Sequence, residues 1–288
     1  MEQLPPIIID EKTFLYDHCS LPPLPDIVTR LREVIQSHDV NVSNVAELID
    51  KDPALVAQIL KIVNSAYYSI PRQISDIKFA VAYLGIHEIY RTVLPLSVIN
   101  NLNIGSSKHF ISLWYHSNFA ALCAKYLAKK YAPLLAHEKL WPAALLHDIG
   151  KLVYIKFFPN HFNLLSQYCK TNGELFSNAE DYYNLPKSSW IGTLLCRKWR
   201  LPKTIEEACA SHDFDQLEKN NRKCLSEDFA SIITIGNYIA ILANEEINTK
   251  IKEKIVTEIK SFIQISQKEF LSMMGEIYDL KYEVDRLI

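Results

Sequence analysis

Apolar residues recur at helical spacing along nearly the whole chain, and this periodicity constrains the fold more than any other feature. In PDIVTRLREVIQS, for example, Ile27, Leu31 and Val34 fall on one face of a helix. No alternating run longer than the short PIIID segment near the start indicates a strand. Glycine is also scarce, with 7 residues among 288, whereas roughly 7% is usual and tight hairpin turns depend on it. The sequence therefore predicts an all-α chain.

Capping and helix-breaking residues divide this periodic pattern into separate helices. Asp52 followed by Pro53 predicts a helix start. Ser43 and Ser75 are predicted to cap two neighbouring helices, and Gly85 is predicted to end one. These boundaries predict a series of separate helices, and the loop-like NNLNIGSSK predicts that two lobes meet near residues 100–110.

A histidine and an aspartate stand side by side in an apolar run, AALLHDIGKLVY, within a segment whose periodicity predicts one continuous helix. Burying His147 and Asp148 there costs free energy unless each side chain finds a partner. A divalent metal ion would satisfy both side chains. Hydrogen bonds within a buried polar cluster that includes His116 would satisfy them too. The residues alone leave both interpretations open.

Charge and cysteine content exclude several classes of protein. Lys and Arg number 31 against 33 Asp and Glu, a net charge of −2, so we expect no nucleic-acid partner, and only scattered basic residues would support one. No apolar stretch approaches the ~18 residues of a membrane helix, and the N-terminus does not resemble a signal peptide. The six cysteines form no CxxC pair. We therefore expect a reduced, cytoplasmic protein with no membrane partner.

Several segments resemble the HDOD family, a helical output module of bacterial signalling proteins, in both order and spacing. They are DPALVAQILKIVNSAYY, AVAYLG, LWYHS, LLHDIGKLV, WIGTLLCRKWRLP and CASHD. The resemblance covers roughly residues 18–245. It implies a smaller N-terminal helical lobe at 18–105 and a multi-helix HD-like bundle at 106–245. Residues 1–17 would form an N-terminal extension, and 246–288 would form C-terminal helices that pack on the domain.

The HDOD family in turn resembles the HD-superfamily metal phosphohydrolases, which include the HD-GYP phosphodiesterases. Such enzymes need a first His, the His-Asp pair and a further Asp from a later helix. The resemblance implies that His116, His147 and Asp148 are metal ligands and that His212 is a weaker extra ligand. It also implies a phosphate contact for Lys151, although a solvated helix residue is the more ordinary interpretation of that lysine.

The other ligand positions that the resemblance implies carry different residues in this sequence. Ser188 stands where the HD-GYP enzymes have a His, and Asn237 stands where the late Asp belongs. The His-His pair of those enzymes reads His212-Asp213 here, and the end of a short helix is the more ordinary interpretation of these two residues. An amide oxygen brings no negative charge to a divalent ion. The resemblance therefore implies at most a weak mononuclear site for Mn, Fe, Mg or Zn, with no cofactor required.

Two functions from different classes follow. The first is a non-catalytic bacterial signalling output or scaffold module that binds a protein partner or a small ligand, and the depleted ligand set favours it. The alternative is a metal-dependent phosphodiesterase or phosphohydrolase, which the intact His116, His147, Asp148 and Lys151 support. The expected partner is a signalling protein, and the sequence does not name a small ligand.

Overall fold

A computed structural model describes residues 4–9, 11, 22–65, 67–68, 70–102, 104, 107–135, 139–211 and 229–287. These residues form helices joined by turns and contain no strand, which confirms the predicted all-α class. No helix among them has both the length and the apolar character needed to cross a bilayer. Their contacts group into two compact units, one within 21–103 with 282–288 and one within 104–281 with 1–20.

Within 21–103 the described residues of the first unit form five helices: α1 (Asp26–Gln36), α2 (Val42–Ile49), α3 (Pro53–Val63), α4 (Ile77–Leu84) and α5 (Ile86–Asn101). Its core is aliphatic, with Leu31, Ile49, Ile59 and Ile89 fully buried. Apolar side chains at helical spacing supply this core, as the sequence pattern predicts.

Helix caps in this unit are partly as predicted. Asp52 accepts a hydrogen bond from the Leu55 N–H at 3.0 Å, which confirms it as a cap. Ser43 and Ser75 were wrong as caps, because the residues in the extended conformation just before the helices are Asn41 and Asp76. An N-cap must be non-helical while its side chain reaches the N–H groups of the first turn. Gly85 ends α4 with φ +90°, a conformation that favours glycine.

The second unit contains ten helices in the described residues. They are α6 (Lys108–Tyr131), α7 (Leu140–Leu146), α8 (Ile149–Phe157), α9 (Pro159–Asn172), α10 (Phe176–Tyr182), α11 (Ser188–Lys198), α12 (Lys203–Ala210), α13 (Phe229–Asn244), α14 (Thr249–Ile263) and α15 (Gln267–Asp279). The last described helix, α16 (Lys281–Leu287), belongs from residue 282 onward to the first unit. Within this unit, the Tyr126 hydroxyl on α6 donates to Glu276 on α15 at 2.7 Å.

The segment predicted as one continuous helix is instead two helices, α7 and α8, which break at His147 and Asp148. Asp148 leaves the helical conformation, with φ −100° and ψ 18°. Adjacent residues of a regular helix point roughly 100° apart, so an unbroken helix would direct these two side chains to different neighbours. Apolar periodicity does not report such a break. The turn allows both polar side chains to face α6.

Two glycines bring helices of this unit into close contact. A Cβ atom on Gly236 would lie 3.0 Å from the Ala120 carbonyl oxygen, so α13 packs directly against the backbone of α6. A Cβ atom on Gly150 would lie 1.9 Å from the Ser188 carbonyl oxygen, so α8 and α11 touch through their backbones. The first contact sets the position of Asn237 on α13. The second places the start of α11 beneath the His147–Asp148 turn.

Candidate functional site

Three of the predicted ligands meet in the second unit. One ligand atom from each of His116, His147 and Asp148 lies within 4.8 Å of the other two. The imidazole centroids of His116 and His147 are 5.6 Å apart. Asp148 Oδ2 lies 3.3 Å from His147 Nε2 and 3.7 Å from His116 Nε2. The fold therefore places these three side chains in one cluster.

This cluster is almost completely excluded from solvent. His116 is 8%, His147 1% and Asp148 3% exposed. His147 Nδ1 lies 2.6 Å from the Ala144 carbonyl oxygen, so that nitrogen carries the proton and donates to the oxygen. The Nε2 lone pair of the same ring is thereby directed to the side of Asp148. The imidazole orientation is set by the backbone of α7.

Asn237, at the position where the resemblance implies a carboxylate, contacts His116 directly. Asn237 Oδ1 lies 2.8 Å from His116 Nε2, and an amide oxygen only accepts, so Nε2–H donates to it. Burial lowers the pKa of His116 to about 3, and its weaker attraction to Asp148 does not offset this. His116 is thus a neutral imidazole with its lone pair on Nδ1.

Lys151 is bonded to the carboxylate of the cluster. Its Nζ donates to Asp148 Oδ2 at 2.7 Å, and its side chain is only 17% exposed. It is therefore not the solvated helix residue that we considered. Burial acts to lower the pKa of Lys151, but the negative charges of Asp148, Glu245 and Glu180 outweigh that effect and raise it above its ordinary value. The lysine stays charged and compensates Asp148.

The donor set fits one transition-metal ion by type. Two imidazoles and one carboxylate are a recognised set of ligands, and the Asn237 oxygen could add a neutral fourth. The charge fits less well, because Asp148 Oδ2, the oxygen that faces both imidazoles, already accepts from Lys151. An ion would have to displace that ammonium. Among the described residues this group contains no carboxylate besides Asp148, so a second ion would have few charged ligands.

Ser188, where the resemblance implies a lost histidine, adds no side-chain ligand. Ser188 is buried at the start of α11, where its backbone N–H donates to Glu180 Oε1 at 2.8 Å. Its carbonyl oxygen lies against Gly150. Glu180, eight residues before Ser188, therefore accepts a hydrogen bond at the start of α11. His212 and Asp213 lie outside the described residues.

Sequence reasoning missed Glu245. Its Oε1 lies 3.6 Å from His116 Nδ1, and its side chain is 47% exposed. Desolvation raises the pKa of this carboxyl, and the nearby Lys151 ammonium acts against that shift. Glu245 directly follows α13, which carries Asn237, so its approach to His116 depends on how α13 packs against α6. Glu245 lies at the end of the family resemblance, where no motif drew attention to it.

A cleft of about 550 Å³ opens over His116, Lys151 and Glu245. One side carries aromatic rings, with Phe162 and Phe176 centroids 5.5 Å apart. The remaining lining is His109, Ser112, Leu113, Ser166, Cys169, Lys170, Glu174, Asn244, Glu246 and Ile247. Its size is within the roughly 300–1,000 Å³ of small-molecule sites. The cleft gives solvent a route to an otherwise buried cluster.

Glu180 makes folding stability depend on pH. Burial raises the pKa of this carboxyl from 4.5 to about 7, so the folded chain binds an extra proton between those values and loses stability as pH rises through them. Glu180→Gln keeps an oxygen acceptor for the Ser188 N–H and removes the titration. Relative to this variant, the wild type should lose about 2 kcal/mol of unfolding free energy between about pH 5 and pH 7.

Urea unfolding of both proteins at the two pH values measures this difference, and comparison with the variant cancels the titration of the histidines. Glu253→Gln, at an exposed position on α14, is the control and should keep the wild-type dependence. An identical pH dependence in wild type and Glu180→Gln would show that this carboxyl is not the titrating group.

Comparison with known sequences gives one family. The HDOD domain model matches residues 21–214. An uncharacterized protein of Treponema pallidum (strain Nichols) is 21% identical over 266 residues, which are 92% of this chain and 50% of that protein. The chain thus spans about half the length of this curated relative.

Comparison with solved structures gives the same fold. An HDOD domain protein of unknown function from Geobacter sulfurreducens has a TM-score of 0.72 at 22% identity, over 96% of this chain and 98% of that one. A candidate phosphohydrolase from Shewanella amazonensis SB2B has a TM-score of 0.68 at 19% identity, over 96% and 98%. A candidate signal transduction protein from Marinobacter aquaeolei VT8 has a TM-score of 0.64 at 18% identity, over 92% and 58%.

Proposed function

The chain belongs to the HDOD domain family, and we propose that it is a non-catalytic output module of bacterial signal transduction. It would bind a signalling protein or a small ligand and transmit its state. The name of the Marinobacter neighbour as a candidate signal transduction protein supports this class. The observation that carries the proposal is the 2.7 Å contact between the Lys151 ammonium and Asp148 Oδ2.

Hydrolysis of a phosphodiester by such a cluster requires an ion that holds the phosphate and activates water. Lys151 already occupies the one carboxylate oxygen that faces both imidazoles. Asn237 supplies no charge to help displace it. Hard divalent ions bind loosely where charged oxygen ligands are few. At ordinary metal concentrations we therefore expect Asp148 to remain paired with the Lys151 ammonium.

A metal ion, if one binds, would be held by His116, His147, Asp148 and the Asn237 oxygen. It would supply a Lewis acid for a phosphoryl oxygen and lower the pKa of a water molecule. Lys151 would then be released from Asp148 towards the cleft, which it already lines. The chain's own residues would thus have to rearrange before such chemistry.

The alternative is a metal-dependent phosphohydrolase. Its support is the convergence of His116, His147 and Asp148 within 4.8 Å and the name of the Shewanella neighbour as a candidate phosphohydrolase. The described cysteines are free thiols, Cys123, Cys169, Cys196 and Cys209, which supports action in the reducing cytoplasm under either proposal.

Hydrolysis assays test the choice between these functions. With millimolar manganese or magnesium, we expect the full chain to cleave bis(4-nitrophenyl) phosphate and cyclic di-GMP no faster than the buffer does. Turnover that rises with protein concentration, disappears in the His116, His147, Asp148 triple-alanine variant and survives in His87→Ala would establish the phosphohydrolase instead. His87 is the control because it is exposed on α5.

A further inference from the structure

Two hydrogen-bond acceptors face each other at the floor of the cleft. His116 Nδ1 and Glu245 Oε1 are 3.6 Å apart. His116 gives its proton at Nε2 to Asn237, so Nδ1 presents a lone pair, and this buried nitrogen has no hydrogen-bond partner in the described residues. A carboxylate also only accepts. The pair therefore lacks a donor that could bond to both atoms.

The contact between His116 Nδ1 and Glu245 lies on the other side of the imidazole from the contact between His116 Nε2 and Asp148. Nε2 faces Asn237 at 2.8 Å and Asp148 at 3.7 Å, whereas Nδ1, itself buried, faces Glu245, a residue that lines the cleft. A donor between Nδ1 and Glu245 would therefore enter from the cleft. It would leave the contacts of Asp148 with Lys151 and His147 in place.

The surrounding charges select a cation. Three carboxylates, Glu174, Glu245 and Glu246, line the cleft with two ammonium groups, Lys151 and Lys170. Lys151 is in addition bonded to the buried Asp148. The carboxylates of the lining therefore outnumber the ammonium groups, and the charge of the cleft is negative. A ligand carboxylate or phosphate placed there would meet two acceptors and a like charge, which is unfavourable. A protonated amine supplies both the missing charge and the missing N–H groups.

The walls of the cleft suit an apolar body attached to that amine. Phe162 and Phe176 form an aromatic side, and Leu113 and Ile247 add aliphatic surface. Lys151 Nζ lies 5.2 Å from the Phe176 ring centroid, so an ammonium group already rests against this wall. The cleft thus has an apolar wall, while the rest of its lining is mostly polar or charged.

We propose that this cleft binds a small primary ammonium compound with an apolar body, whose N–H groups donate to His116 Nδ1 and to Glu245. The inference deepens the proposed function, because it names the class of small ligand that the signalling module would sense. The ammonium would join His116 on α6 to Glu245, the residue that directly follows α13. A ligand in the cleft would thereby contact His116, a member of the buried cluster.

Calorimetric titration with three matched probes tests this proposal on the full chain. The probes are 2-phenylethylammonium, the uncharged 2-phenylethanol and the anionic 3-phenylpropionate, which share an apolar ring and differ in the head group. We expect only the ammonium probe to bind, and to bind less tightly as salt is added. Absence of binding by the ammonium probe, or equal or tighter binding of either other probe, would overturn the proposal.

Glu245→Gln identifies the residue responsible. This substitution keeps the size and the acceptor of the side chain and removes the charge, and the half-exposed position allows the variant to fold. We expect ammonium binding to weaken by about tenfold or more, with no change in Glu253→Gln. Unchanged binding in Glu245→Gln would overturn the assignment. The proposed function is judged separately, because phosphodiester hydrolysis is measured without any amine present.

Discussion

Replacing Lys151 by methionine is expected to lower the free energy of unfolding by about 3–5 kcal/mol, the usual effect of removing one partner from a buried ion pair. Asp148 would keep its charge in a site where it is 3% exposed, without the ammonium 2.7 Å from its Oδ2. Methionine retains most of the apolar stem of lysine, so lost packing contributes little. Urea unfolding at neutral pH measures the difference.

Lys203→Met is the matched control for this prediction. Lys203 also pairs with a carboxylate three residues away, Glu206 at 3.3 Å, but its side chain is 70% exposed. Exposed pairs contribute about 0–1 kcal/mol, so this variant should resemble the wild type. Equal effects of the two substitutions would mean that burial of the Asp148–Lys151 pair has no energetic consequence.

Gly150→Ala is expected to destabilise the chain by about 3 kcal/mol, at the upper end of the range for overpacked cores. The added Cβ would lie 1.9 Å from the Ser188 carbonyl oxygen and 2.8 Å from the Gly192 nitrogen. Both are backbone atoms, so no side-chain rotation relieves the contact. α8 and α11 would have to separate, and the His147–Asp148 turn would move with α8.

Gly275→Ala is the control, because nothing lies within 4 Å of the added Cβ on α15. Alanine in a helix interior is more stable than glycine by about 0.5–1 kcal/mol, so this variant should melt at a slightly higher temperature than the wild type. A thermal melt in which both alanine variants gain stability would contradict the close contact between α8 and α11.

The helical fold was predictable from the sequence, because apolar spacing and capping residues are local signals. Asp52 acts as predicted for this reason. The break at His147 and Asp148 was not predictable in the same way, since a turn inside an apolar run leaves the spacing of its apolar residues unchanged. The shift of two caps to Asn41 and Asp76 reflects competition between neighbouring polar residues that all could cap a helix.

The cluster itself was only partly predictable. His116, His147 and Asp148 were found from motif spacing. The pairing of Asp148 with Lys151 could have been anticipated, because residues three apart on a helical turn are neighbours and opposite charges there attract. Glu245 could not be linked to His116 by a local rule, since the contact depends on how α6 packs against α13. Whether a metal ion binds depends on the balance between an ammonium and an ion at one carboxylate.

Titration of the folded chain with manganese and with zinc, followed by calorimetry in wild type and Lys151→Met, tests the central claim most directly. The claim is that Lys151, and not a metal ion, compensates Asp148. It predicts weak or undetectable binding to the wild type and clearly tighter binding to the variant, because the carboxylate is then released. Tight binding to the wild type at one ion per chain, unchanged in Lys151→Met, would contradict it.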